Sequence, residues 1–163
     1  MSEMKRIWIF ETATLGEAYE KAASVGGTWL DVSATANGGV AIVEAESEDQ
    51  KANENLFEVH EAVVKALFSL AEPIPPSHDA IQIVEAASLQ ALIAYANRAI
   101  ESQFHIVEIR IKRAGTAGAV AFISGPLQAL SKAAESLQGP AKATRTSLRA
   151  STLELQGEVR RHF

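Results

Sequence analysis

The chain has 163 residues, 47% hydrophobic and 21% charged, with no cysteine and a formal net charge of −5. That is a globular composition, sized for one ordinary domain or two very compact ones. It excludes disulfides, thiolate metal sites and cysteine nucleophiles, and its acidic balance argues against a nucleic-acid partner. No apolar run approaches the roughly 20 residues that span a bilayer, and Met1-Ser2-Glu3-Met4-Lys5-Arg6 lacks the apolar region and cleavage site of a signal peptide. The expectation is a soluble cytoplasmic protein with no membrane partner.

In chain order, Arg6 to Glu11 is apolar-rich and short, the pattern of a strand. Thr14 is placed to cap the helix that follows, with Glu17 at capping-box spacing. That helix is predicted over Leu15–Ser24, with Leu15, Ala18, Tyr19 and Ala22 on one face. Two strands come next, Thr28 to Ala34 and Val40 to Ala45, around Ala36-Asn37-Gly38-Gly39. Asn-Gly is a strong hairpin signal, because both residues tolerate positive φ. A second helix is predicted from about Glu54 to Leu70, and Glu72-Pro73-Ile74-Pro75-Pro76-Ser77-His78-Asp79 forms a proline-stiffened connection.

The pattern then starts again. Ala80 to Glu85 reads as a strand, Ser88 as a cap and Leu89 to about Ser102 as a helix with Leu89, Leu92, Ile93, Ala96 and Ile100 on one face. His105 to Lys112 and Ala119 to Ser124 are strands around Ala114-Gly115-Thr116-Ala117-Gly118, and a helix is predicted over 126–137. Ile9 to Leu15 lines up with Ile83 to Leu89 at an offset of 74, Trp29 to Val32 with Ile106 to Ile109 at 77, and Gly38 to Val43 with Gly118 to Ile123 at 80. The second copy thus carries about three extra residues at each of two exposed joints, where insertions are tolerated. The fold class is α+β: two tandem β-α-β-β-α, ferredoxin-like repeats, each a small antiparallel sheet with helices packed on it. The predicted division is 1–76 and 77–140 for the repeats and 141–163 for a C-terminal tail. Lys142, Arg145, Arg149, Arg160 and Arg161 against Glu154 and Glu158 make that tail basic. Leu148, Leu153 and Leu155 could support a short helix or edge strand there, and the tail is read either as a contact for an acidic partner or another subunit, or as a solvated end.

The second copy resembles a known family. Ala80-Ile81-Gln82-Ile83-Val84-Glu85 followed by Leu89 to Asn97 is similar to the opening strand and helix of a bacterial microcompartment shell domain. Ala119 to Leu130 is similar to that family's third strand and second helix start, with Ser124-Gly125-Pro126 standing where the family carries Arg-Gly-Asp. The resemblance covers nearly all of residues 5 to 138. It implies a shell-type structural protein in the cytoplasm, within a microcompartment shell. Two fused copies then imply a homotrimer imitating a hexamer, able to meet other shell subunits. The glycine loops sit where the family places its pore loop. The residues implied for the pore are therefore Asn37, Gly38, Gly39, Gly115, Thr116 and Gly118, with small polar metabolites as what passes. The residues alone leave these loops open between pore or anion contacts and mere hairpin turns.

Catalytic signals are sparse. His60, His78, His105 and His162 are scattered, with no i, i+4 pair and no HExxH, and are read as surface histidines rather than metal ligands. Glu11 and Glu85 occupy equivalent strand ends and are read either as paired carboxylates or as partners of helix N-termini. There is no GxSxG elbow about Ser88, Ser124 or Ser131, and no nucleotide fingerprint. Trp8 and Trp29 are read as core or interface anchors. No enzyme, cofactor or metal is expected. The alternative function is a small-molecule-binding or regulatory protein with two ferredoxin-like halves, and a weaker third is an enzyme using Glu11, Glu85 or His105 in a cleft.

Overall fold

The computed structural model of the chain describes residues 3–36, 38–46, 53–111, 118–136 and 141–148. Of these, the residues up to Glu61 together with Ile111 and Gly118 form one compact unit, and Ala62 to Arg110 with the residues from Ala119 onward form a second.

The first unit is built on β1 (Met4–Thr12), α1 (Leu15–Ser24), β2 (Gly27–Thr35), β3 (Gly38–Ala45) and β4 (Leu56–His60). Its sheet has the order β2-β3-β1-β4, with β1 antiparallel to both β3 and β4. Alternation along the strands turns Trp8, Phe10, Ala41 and Val43 toward α1, where they meet Ala18 and Ala22 in one buried cluster. Ile7, Ile9, Val40 and Ile42, on the opposite face, are buried as well. Thr14 caps α1 through its side chain, which accepts from the Glu17 amide at 3.1 Å.

The second unit contains α2 (Glu61–Leu67) from Ala62 onward, β5 (Ala80–Ala86), α3 (Leu89–Glu101), β6 (His105–Ile111), β7 (Ala119–Gly125), α4 (Leu127–Ser136) and β8 (Ala141–Leu148). Its sheet has the order β6-β7-β5-β8, the same arrangement as the first. Ser88 caps α3, accepting from the Ala91 amide at 3.2 Å, and Asp79 Oδ1 accepts from the first amide of α4, that of Leu127, at 3.1 Å. One face of the sheet, with Ile81, Ile83 and Phe122, packs against Ile74 of the proline-containing connection.

The repeat holds residue by residue. Ile9 pairs with Ile42, Phe10 with Ala41 and Glu11 with Val40; their counterparts Ile83–Phe122, Val84–Ala121 and Glu85–Val120 pair in the second sheet. A one-residue slip in either alignment would have turned every side chain to the wrong face.

Each half also has a fourth strand that the three-strand repeat did not foresee. The single helix expected over Glu54 to Leu70 is instead strand β4 followed by the seven-residue α2. Leu56, Phe57 and Val59 form a short apolar run that periodicity alone cannot assign, and the free edge of β1 supplies the ladder partner that makes it a strand. In the second half the corresponding strand comes after the helix: β8, from Ala141, pairs along the whole of β5. Lys142 within it suits a sheet edge, where charge discourages stray pairing.

Candidate functional site

Of the six residues assigned to the pore loops, Asn37, Gly115 and Thr116 lie outside the described residues. Gly38 and Gly39 belong to β3 rather than to the turn: Thr35 pairs with Gly38 and Ala34 with Gly39. Gly118 directly precedes β7, and it shares with its counterpart Gly38 a positive φ, +135° and +154°. The first hairpin shows why side chains are missing. A Cβ on Gly38 would collide with the Thr12 carbonyl and sit 2.6 Å from the Ala13 carbonyl, and one on Gly39 would lie 2.9 Å from both Leu15 Cα and the Thr14 carbonyl. β3 runs hard against the corner between β1 and α1, and the Thr12 hydroxyl, 2.7 Å from the Thr14 carbonyl, braces that corner. Gly38 and Gly39 thus have a packing role whatever passes near them.

Glu11 and Glu85 occupy the same register position in their own sheets. His60 closes β4, and His162 lies outside the described residues. His78 and His105, by contrast, come together beside Ser124. Burial is the main cause holding both imidazoles below their ordinary pKa; Asp79 opposes it at His78, and Glu72 opposes it at His105. Trp8 is a core residue stacked on Phe10 at 5.6 Å.

Two features had no signal in the sequence reading. The first is a buried polar network in the second unit. Gln82, fully buried, donates through Nε2 to the Leu130 carbonyl at 3.0 Å and accepts at Oε1 from the Tyr95 hydroxyl at 3.1 Å. It joins β5, α3 and α4, and burial raises the Tyr95 phenol above its ordinary pKa. The second is an exposed apolar flank in the first unit. Leu15, Tyr19 and Trp29 are 36%, 48% and 47% exposed, with the Tyr19 and Trp29 rings 5.9 Å apart. A bulge at Leu30 interrupts β2 next to Trp29.

No family model matches the sequence, and no curated protein does. Among solved structures, a microcompartments protein from Desulfitobacterium hafniense DCB aligns with 91% of this chain and 96% of its own, at a TM-score of 0.62 and 18% identity. The likeness is one of fold. It extends over nearly the whole of both chains, so the tandem α+β arrangement is shared rather than one half of it. Among the described residues, no helix is long and apolar enough to cross a membrane.

Proposed function

We propose that this chain is a structural, non-enzymatic shell subunit that assembles as a homotrimer, with its two repeats standing in for two subunits of a hexamer. The observation that carries the reading is the unequal fate of one repeat position. Leu15, Tyr19 and Trp29 are exposed, whereas their counterparts Leu89, Ile93 and Ile106 are at most 2% exposed. An apolar flank left bare on one repeat is open to a cover from outside the chain, and a second copy presenting a different surface is a natural one. A contact of that kind is head-to-tail, and it closes into a ring when the rotation permits. The fold shared with the Desulfitobacterium hafniense microcompartments protein supports the same assignment. In such a ring the hairpins carrying Asn37, Gly38, Gly39, Gly115, Thr116 and Gly118 line an axial opening for small polar metabolites, and the shell lies in the cytoplasm.

Light scattering on the full chain, followed by negative-stain imaging of the same sample, tests the reading. A solution mass of three chains with disc-shaped particles is expected. A stable monomer or dimer overturns the pseudohexamer.

A further inference from the structure

The histidine pair lies within the second unit. His78, in the connection before β5, and His105, the first residue of β6, have ring centroids 6.5 Å apart and planes inclined by 54°. Each ring is tethered through one nitrogen. His78 Nδ1 lies 2.9 Å from Oγ of Ser124, which is fully buried on β7. The backbone of Glu72 acts on the His105 ring as a hydrogen-bonding partner that favours its protonated form. His105 Nε2 is buried with no hydrogen-bond partner, so Nδ1 is the donor. An unpaired buried acceptor costs about 1–3 kcal/mol, and folded proteins rarely keep one without something to fill it.

We infer that His78 and His105 form a two-histidine site for a late first-row transition-metal ion of the zinc, nickel or copper class. Imidazole nitrogen suits those ions. A metal-bound histidine characteristically donates its other ring N–H to a carbonyl or side chain, which fixes the tautomer and orients the ring. Glu72 does this for His105. With Nδ1–H of His78 donating to Ser124, Nε2 of that ring likewise presents a lone pair.

The spacing agrees with one ion. A metal–nitrogen bond of about 2.0–2.1 Å puts the ion roughly 3.2 Å from each ring centre. The observed 6.5 Å separation of the ring centroids is of the size that one ion shared by the two rings would set. Tetrahedral angles draw the rings together by about 1 Å, a movement open to half-buried His78 in its connecting segment. No set of three His, Asp or Glu side chains is preassembled among the described residues. Water completes the coordination. Such an open site binds more weakly than a closed four-ligand structural site.

The test uses the full chain without a histidine tag, titrated with zinc chloride and, separately, nickel chloride at pH 7.5. Calorimetry and thermal melting are read on the same samples. One ion per chain is expected, with a melting midpoint that rises with metal and returns on chelation. At a free metal concentration a hundredfold above Kd, the folding equilibrium constant rises about a hundredfold. His78→Ala should weaken binding at least tenfold, and His60→Ala should leave it unchanged. Ser124→Ala should weaken it less than His78→Ala, as befits a positioning residue, while leaving the stoichiometry at one. His105→Ala should also lose the ion; if that variant does not fold, His78→Ala decides alone. Unchanged binding in His78→Ala, or no saturable binding by the parent chain, overturns the site.

Discussion

The first helix of each repeat meets its sheet through the same two positions, Ala18 and Ala22 in one half and Leu92 and Ala96 in the other, all fully buried. One step around the helix the halves part company. Tyr19 is 48% exposed and Ile93 is 1% exposed. At the neighbouring strand position Trp29 is open to solvent and Ile106 is buried. The residue types follow their surroundings: an amphipathic aromatic pair where the face is bare, branched aliphatic chains where it is closed. Tyrosine and tryptophan tolerate a wet surface and also serve as anchors when a partner arrives. The comparison separates two kinds of conservatism. The register of the repeat is kept residue by residue, while the use made of each outer position is free to change.

The sharpest way to break that comparison is to place the same charge at both members of the pair. Ile93→Asp puts an unpaired carboxylate in a closed site and should cost on the order of 4 kcal/mol or more, close to the whole margin of a small domain. Thermal melting or circular dichroism should show loss of the fold. Tyr19→Asp, on an exposed position, should stay within about 0.5–1 kcal/mol in melting yet break the proposed trimer, lowering the solution mass to that of one chain. Equal damage to folding from both substitutions would remove the distinction between the bare and the covered flank.

A second contrast lies beneath the helices. Trp8, facing α1, corresponds to Gln82, facing α3 and α4. The first unit fills this part of its face with stacked Trp8 and Phe10, and the second fastens two helices to one strand through an amide. Tyr95→Phe removes the donor to Gln82 Oε1 and should cost about 1–3 kcal/mol, because a buried acceptor is left unmade. It also alters the alkaline limb of the stability curve. Burial is the main influence on the Tyr95 phenol and raises its pKa, with Arg98 opposing. The unfolded chain therefore releases this proton first, at about pH 10. Stability from Tyr95 is fully present below that pH and is lost as pH rises through the raised folded value. Denaturant titrations at pH 9 and pH 11 should show a shallower alkaline loss in Tyr95→Phe than in the parent chain.

The parts legible in the sequence were those written in local patterns. The spacing of Leu15, Ala18, Tyr19 and Ala22, the caps Thr14 and Ser88, and the offsets of 74 and 80 led to α1, α3 and the central register, although only Ala18 and Ala22 of that face are buried. The fourth strands were not legible for two different reasons. Leu56 to His60 is too short for its period to separate strand from helix, and Ala141 to Leu148 has little apolar content and is a strand by virtue of the edge it completes. The first hairpin is tighter than its glycines suggested, since Gly38 and Gly39 are explained by the corner they pass rather than by the turn. The meeting of His78, His105 and Ser124 had no local signature at all, because a connection and two strands bring them together from distant parts of the chain.

The smallest expected effect tests the half of the comparison where the repeats agree. Thr14 and Ser88 both have extended backbone and both accept from the amide three residues on, at 3.1 and 3.2 Å. Thr14→Ala and Ser88→Ala should therefore each cost about 1 kcal/mol, despite the different burial of the helices behind them. The cap bond is local, and its loss exposes the same orphan amide in either repeat. A substantially larger loss for Ser88→Ala in denaturant melts would mean that the closed packing around α3 amplifies a local defect. Matching losses would place the divergence of the two halves in their outer surfaces, with the helix starts left as interchangeable parts.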